Sequence, residues 1–90
     1  MHVARSMSKE HITIHLTSWC PFCQRLVADL ERENIAFTSI DVDNDAEAAK
    51  WVTSVNNGNR VVPTVLYSDG THATNPPAAA VIAKLQELQA

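Results

Sequence analysis

From His11 to Thr17 the chain alternates, with Ile12, Ile14 and Leu16 on one face and His11, Thr13, His15 and Thr17 on the other. A period of two over seven residues predicts a strand. Behind it, Phe22, Leu26, Val27 and Leu30 recur at helical spacing and predict a helix ending near Asn34. Pro21 suits the first turn of that helix, where its missing N–H removes no hydrogen bond. Ala36 to Asp41 reads as a second short strand. Asp43, Asn44 and Asp45 are capping residue types, and the run Ala46 to Asn56 behind them puts Ala48, Ala49, Val52 and Val55 on one face. Asn57-Gly58 stops this second helix. Thr64 to Tyr67 is a third strand, and Ser68-Asp69-Gly70 is a hairpin turn into Thr71 to Ala73. Asn75 is expected to cap a last helix opened by Pro76-Pro77, with Ala78, Val81, Ile82, Leu85 and Leu88 facing inward.

The order is βαβαββα. Strand–helix–strand at this spacing implies a right-handed crossover and a parallel pair, and the final hairpin adds antiparallel strands. The expected architecture is α/β, a four-stranded mixed sheet flanked by three helices. Residues 1–10 are polar and aperiodic and read as a flexible N-terminal leader, with Met7 as a second candidate start. The domain proper then runs from 11 to 90.

Composition narrows the function classes. A 90-residue chain with 46% hydrophobic and 19% charged residues fits one ordinary globular domain, expected as a monomer. It has no apolar run near the roughly 18 residues of a membrane helix, and its start lacks an apolar signal region. A cytoplasmic location without membrane association is therefore expected. Seven Lys+Arg against ten Asp+Glu, with no basic block, argues against nucleic acid. Gly58 and Gly70 stand too far apart for a phosphate-cradling loop, which excludes nucleotide chemistry of that kind.

The cysteines carry the chemistry. Both lie in Trp19-Cys20-Pro21-Phe22-Cys23, a spacing that random placement would give about 2% of the time. In a reducing compartment such a pair is more often catalytic or metal-binding than structural. A free cysteine is only about 3% thiolate at pH 7. Cys20 precedes the first helical turn, where unpaired N–H groups and about half a positive charge favour an anion. A two-unit fall in a thiol's pKa raises its thiolate share about thirtyfold while weakening each thiolate about tenfold, so the rate gain is modest. The larger benefit is that a low-pKa sulfur leaves well. Cys23, one turn inside, can close on Cys20.

Other readings of these residues are weaker. Half a zinc site would need ligands from His2, His11, His15 and His72, among which His11 and His15 alone have the spacing of a second ligand pair. The Asp41-x-Asp43-x-Asp45 run lacks the glycine and glutamate of a calcium loop, with Ala46 and Val52 in their places, and reads as a solvated helix start. Pro63 suits a cis bond that would turn the Val62 backbone toward the cysteines, or else a plain strand entry. Trp19, adjacent to Cys20, is a candidate contact surface, whereas Trp51 reads as helix surface or core edge. His15 reads as a locally hydrogen-bonded strand histidine.

Trp19-Cys20-Pro21-Phe22-Cys23, Val62-Pro63-Thr64 and the Asp69-Gly70 hairpin fall in the order seen in the thioredoxin superfamily. The layout from about Ile12 to Leu88 resembles the glutaredoxins, and within them the mycoredoxins, whose pattern Ser54-Val55-Asn56-Asn57-Gly58-Asn59-Arg60 and Thr74-Asn75-Pro76 also match. The resemblance implies a thioredoxin/glutaredoxin fold, a cis Pro63, a nucleophilic Cys20 and a resolving Cys23. It also implies a substrate groove formed by Trp19, Pro21, Phe22, Val62, Pro63, Thr64, Thr74 and Asn75. Where glutathione-using relatives carry Gly-Gly and an acid to grip the γ-glutamyl end, this chain has Thr74-Asn75-Pro76-Pro77. Thr17-Ser18 stand where those relatives commonly have a lysine, and Ile14 where thioredoxins have a buried aspartate. The implied activity is removal of mycothiol from mixed disulfides. The implied partners are mycothiol as co-substrate, S-mycothiolated proteins, and mycothiol disulfide reductase as NADPH-dependent electron source, with no bound cofactor and no metal. The rival readings are a redoxin recharged by thioredoxin reductase and a non-enzymatic iron–sulfur or zinc carrier, against which Pro21 argues.

Overall fold

In a computed structural model describing residues 9–90, Ile12–Leu16 form β1, the strand around which the remaining elements are arranged. They follow as α1 (Pro21–Arg32), β2 (Thr38–Asp41), a 3-10 turn (Val42–Asn44), α2 (Ala46–Val55), β3 (Thr64–Tyr67), β4 (His72–Thr74) and α3 (Ala78–Gln89). The strand order is β2-β1-β3-β4. β1 runs parallel to β2, with Ile14 opposite Ser39, and antiparallel to β3, with Ile14 opposite Val65. β3 and β4 are antiparallel, Val65 facing Ala73. This is the mixed α/β sheet with three helices that the pattern predicts. Most of the expected leader, residues 1–8, lies outside the described residues. Residues 9–11 close a helical turn, so β1 starts at Ile12 and not at His11.

The two sides of the sheet differ in kind. On one side β1 and β3 pack under α1 and α3 in a cluster of Ile12, Ile14, Leu26, Leu30, Val65, Tyr67, Val81 and Leu85. Burying each such aliphatic side chain contributes roughly 1.5–3 kcal/mol. On the other side α2 covers a smaller set, Val42, Ala48 and Val52, with Trp51 and Val62 packed against it. The polar face of β1 is not a solvent face: His15 and Thr17 are buried, as is Thr64 of β3.

Helix ends follow the capping chemistry with one exception. Cys20 is the N-cap of α1. Asp45 is the N-cap of α2, its carboxylate accepting from the Ala48 amide at 3.0 Å. Asn57 and Gly58, at φ 57 and 86, end α2 in the left-handed region. Asn75 does not cap α3. Pro77 takes that position with no side-chain bond, and Asn75, at φ 49, turns the chain after β4. Its amide donates to the Pro63 carbonyl at 2.7 Å, which fixes it against the β3 entry and not against α3.

Candidate active site

Cys20 stands where β1 hands over to α1, with extended backbone (φ −88, ψ 112) and its sulfur turned back over the helix start. The Cys23 amide donates to Cys20 Sγ at 3.1 Å. That is an N-cap bond in which sulfur replaces the usual side-chain oxygen. No acidic residue occupies the first turn, so nothing there opposes negative charge on the sulfur. The Cys20 thiol also donates to the Val62 carbonyl, at 3.7 Å. Both cysteines are free thiols.

Exposure barely separates the pair, at 3% for Cys20 and 1% for Cys23. Electrostatics separates them. Burial, followed by the hydrogen bond with Cys20, pushes the Cys23 thiol up to about 12, against a smaller opposing contribution from a Thr17 backbone hydrogen bond. Cys23 borders a groove of 200 Å³ with Leu16, Thr17, Ser18, Gln24 and Val27. Among the described residues, Thr17 Oγ1 is the buried side-chain oxygen without a hydrogen-bond partner.

Opposite Cys20 lies the loop before β3. The Val62–Pro63 bond is cis. Pro63 and Thr64 are fully buried, so neither side chain reaches the surface. The Thr64 hydroxyl donates to the Val61 carbonyl at 2.8 Å, closing the loop over Pro63. Asn56 ties this loop to its neighbours: its amide donates to the Val52 carbonyl (2.8 Å) and Thr64 Oγ1 (3.2 Å), and its oxygen accepts from the Thr74 hydroxyl (2.6 Å). Thr74 and Asn75 are thus bound into the scaffold behind Val62, Thr74 by its side chain and Asn75 by its amide. Below them the His15 ring stacks on Trp51, with centroids 4.6 Å apart, and its Nδ1–H donates to the Thr64 carbonyl at 3.3 Å. Burial lowers the His15 pKa, partly opposed by the Thr64 carbonyl and Asp45. The ring is therefore neutral at pH 7. Trp51 also meets His72 edge-on at 6.0 Å, so it joins the two histidine rings in one aromatic cluster.

Two aromatic side chains frame the cysteine: Trp19 is 67% exposed and Phe22 62%. Pro21, between them, opens α1 and is exposed. The Trp19 indole N–H donates to the Asp43 carboxylate at 2.9 Å, and Asp43 pairs with Arg60 at 3.3 Å. Arg60 also donates to the Val42 carbonyl at 2.7 Å. Phe22 borders a separate groove of 270 Å³ with Asn75, Arg25, Asp29 and Pro76, which brings two of the expected groove residues together. Among the described residues no cluster of three or more His, Cys, Asp or Glu could hold a metal ion.

A thiol pair at a helix N-terminus, facing a carbonyl beside a cis proline, is a thiol–disulfide exchange geometry. Comparison with known proteins agrees, since the glutaredoxin family profile matches residues 12–73. The chain belongs to the glutaredoxin family. It is 58% identical over 78 residues to mycoredoxin 1 of Corynebacterium glutamicum, covering 87% of this chain and 96% of that one. The crystal structure of a glutaredoxin from Archaeoglobus fulgidus superposes with a TM-score of 0.64 at 26% identity, covering 98% of this chain and 94% of that one. A wheat glutaredoxin shares the fold, with a TM-score of 0.66 at 23% identity over 94% and 92% of the two chains.

In this glutaredoxin-family oxidoreductase, sequence reasoning did not single out Asn56, Asp43 or Arg60 for the site. Asn56 ends a helix and its bonds reach Thr64 and Thr74, 8 and 18 residues further on. Asp43 reads as a helix-start acid until the fold brings Trp19 against it. Only the exposed tryptophan beside Cys20 hinted that a polar partner was needed. No helix among the described residues is long and apolar enough to cross a membrane.

Proposed function

We propose that this protein removes mycothiol from mixed disulfides, with Cys20 as nucleophile. The observation that carries the reading is the Cys20 sulfur held by the Cys23 amide at the start of α1, across from the Val62 carbonyl. In the first step the Cys20 thiolate attacks the mycothiol sulfur of the mixed disulfide. The old S–S bond breaks, the substrate leaves as a thiolate that takes a proton from solvent, and a Cys20–mycothiol disulfide forms. In the second step the thiolate of another mycothiol attacks the mycothiol sulfur of that adduct. Cys20 is released as thiolate, and mycothiol disulfide carries the two oxidising equivalents to its NADPH-dependent reductase. No bound cofactor or metal takes part, and the protein works as a cytoplasmic monomer.

The environment of Cys23 bears on which thiol completes the cycle. Burial, the largest cause of the raised Cys23 pKa, persists when Cys20 is tied up in the mixed disulfide and keeps the Cys23 thiol protonated at pH 7. Closure by Cys23 is slowed accordingly, and a second mycothiol gains time to act. Cys23 serves where a disulfide within a protein must be reduced and both sulfurs are required. Preference for mycothiol over glutathione is supported by Thr74-Asn75-Pro76-Pro77, which offers no carboxylate for a γ-glutamyl amine, and by the similarity to mycoredoxin 1.

A coupled NADPH assay on a mixed-disulfide substrate tests the reading, with mycothiol and its reductase, glutathione and its reductase, or thioredoxin reductase alone as electron source. Turnover with mycothiol and little with glutathione is expected. Efficient recharging by thioredoxin reductase with none through mycothiol would replace the reading with that of a directly reduced redoxin.

A further inference from the structure

We propose that the groove between the end of β1 and α1 is a water site through which the Cys23 proton leaves when this thiol closes on Cys20, with Thr17 as the residue that positions the water. The inference rests on the reading of Cys23 as the closing thiol and assigns how that buried sulfur loses its proton.

The groove encloses 200 Å³ and is lined by Leu16, Thr17, Ser18, Cys23, Gln24 and Val27. One water needs only about 10–15 Å³ of such space, together with two to four polar partners. Those partners are present. Thr17 is 3% exposed, and its hydroxyl has no hydrogen-bond partner among the described residues. A buried hydroxyl left unpaired costs about 1–3 kcal/mol, which favours water wherever space adjoins it. The Cys23 sulfur is the second partner, and the Thr17 backbone already hydrogen-bonds it. Gln24 and Ser18 form a polar rim, the Gln24 side-chain amide donating to the Ser18 carbonyl at 3.0 Å.

The place of the groove suits the chemistry of closure. Every lining residue belongs to β1, α1 or the turn between them, and none to the loop carrying Val62. Cys20 faces that loop, so a thiol bound on Cys20 covers the approach from there. The groove remains as the way from Cys23 to solvent. Among the described residues no carboxylate, histidine or amine lines it, and Ile14 fills the place where thioredoxins have a buried aspartate. The proton therefore passes to water and not to an ionisable side chain. In this step the Cys23 S–H bond breaks toward the water as the sulfur attacks Cys20. The Cys20–Cys23 bond forms, the Cys20–mycothiol bond breaks, and mycothiol leaves as a thiolate that takes a proton from solvent. A hydroxyl suits the post because it both donates to and accepts from water.

Mixing the reduced protein with dithiobis(nitrobenzoate) tests this in two coloured phases. Cys20 first displaces one thionitrobenzoate and holds the other as a mixed disulfide; Cys23 then closes on Cys20 and displaces the second. The measured quantity is the ratio of the second rate to the first, at one reagent concentration, in wild type, Thr17→Val and Thr17→Ser. Valine keeps the shape without the hydroxyl and should lower the ratio at least about tenfold, the scale of one lost hydrogen bond to an ionising group. Serine keeps the hydroxyl and should retain the wild-type ratio. An unchanged ratio in Thr17→Val, or an equal loss in Thr17→Ser, would overturn the proposal. A crystal structure of the reduced wild type checks it without any variant: ordered water within hydrogen-bonding reach of both Thr17 Oγ1 and Cys23 Sγ is expected, and a dry groove would overturn it. The reagent contains no mycothiol, so failure here leaves the mycothiol reading to the coupled NADPH assay.

Discussion

The two sides of the sheet are built from different chemistry, and each cysteine belongs to one of them. The α1/α3 side is hydrocarbon, an eight-residue cluster from Ile12 to Leu85. Cys23 borders Leu16 and Val27, which pack against that cluster. The α2 side sets buried polar groups beside a small apolar cluster of Val42, Ala48 and Val52: the His15 ring donates to the Thr64 carbonyl, and the Asn56 side chain to Thr64 Oγ1. Cys20 faces this side through Val62, which packs on the α2 cluster. An apolar environment keeps a thiol protonated, whereas amide and carbonyl groups held by a hydrogen-bonded network orient the Cys20 sulfur. The contrast teaches that the two sulfurs differ in what lies behind each and not in exposure.

The largest expected effect separates the thiols directly. Cys20→Ser keeps the burial of Cys23 but removes the contributions of Cys20. Iodoacetamide at pH 7 should then modify Cys23 more slowly than an unfolded cysteine by up to about thirtyfold, the smaller thiolate share being partly offset by the stronger nucleophile. The sign follows from a folded pKa near 12 against a reference of 9.0. Folding then favours the neutral thiol, stability from Cys23 is complete below pH 9 and is lost as pH rises toward 12. Labelling at the unfolded rate would abolish the proposed contrast.

Next in size is the apolar side. Leu30→Ala should cost about 2–5 kcal/mol in urea unfolding, because Leu30 is fully buried in the cluster. Mixed-disulfide turnover per folded molecule should be unchanged, since Leu30 lies away from the loop at Val62. Asn56→Ala should cost less, about 1–3 kcal/mol, by removing bonds at Val52, Thr64 and Thr74. Unlike Leu30→Ala it should also reduce kcat/KM in the fully folded protein, because the loop carrying Val62 loses its tie. Equal kinetic behaviour in the two variants would show that the polar side is only scaffold.

The smallest effect is a pH dependence. His15 has a lowered pKa, so between its folded value and 6.5 the unfolded chain binds the extra proton. Its contribution to stability is complete above pH 6.5 and is lost as pH falls through the folded value. Urea midpoints from pH 7 to 4.5 should therefore fall more steeply for wild type than for His15→Gln. Parallel slopes would remove His15 from the account of the polar side.

Much of this was legible in the sequence, for a local reason. Alternation in β1 and helical spacing in α1 and α3 directly report burial against one continuous apolar side. The pair Cys20-x-x-Cys23 was legible because three-residue spacing on a helix start needs no tertiary contact. The α2 side was less legible. His15 and Thr64 are ordinary strand residues whose partners, Trp51 and Asn56, arrive from a helix some 40 residues from β1. Asn75 was misread as a cap because an asparagine before two prolines satisfies the local rule, while its amide is claimed by Pro63 across the sheet end. Thr64 and Pro63 belong to the loop's interior for the same reason.

The central claim is that Cys20 attacks the mycothiol sulfur and carries mycothiol, not the substrate protein. Intact-mass spectrometry of Cys23→Ser, quenched in acid soon after mixing with an S-mycothiolated protein, tests it most directly. The account predicts a Cys20–mycothiol adduct accumulating as the substrate appears with a free thiol. A disulfide between Cys20 and the substrate protein, with free mycothiol released, would contradict it.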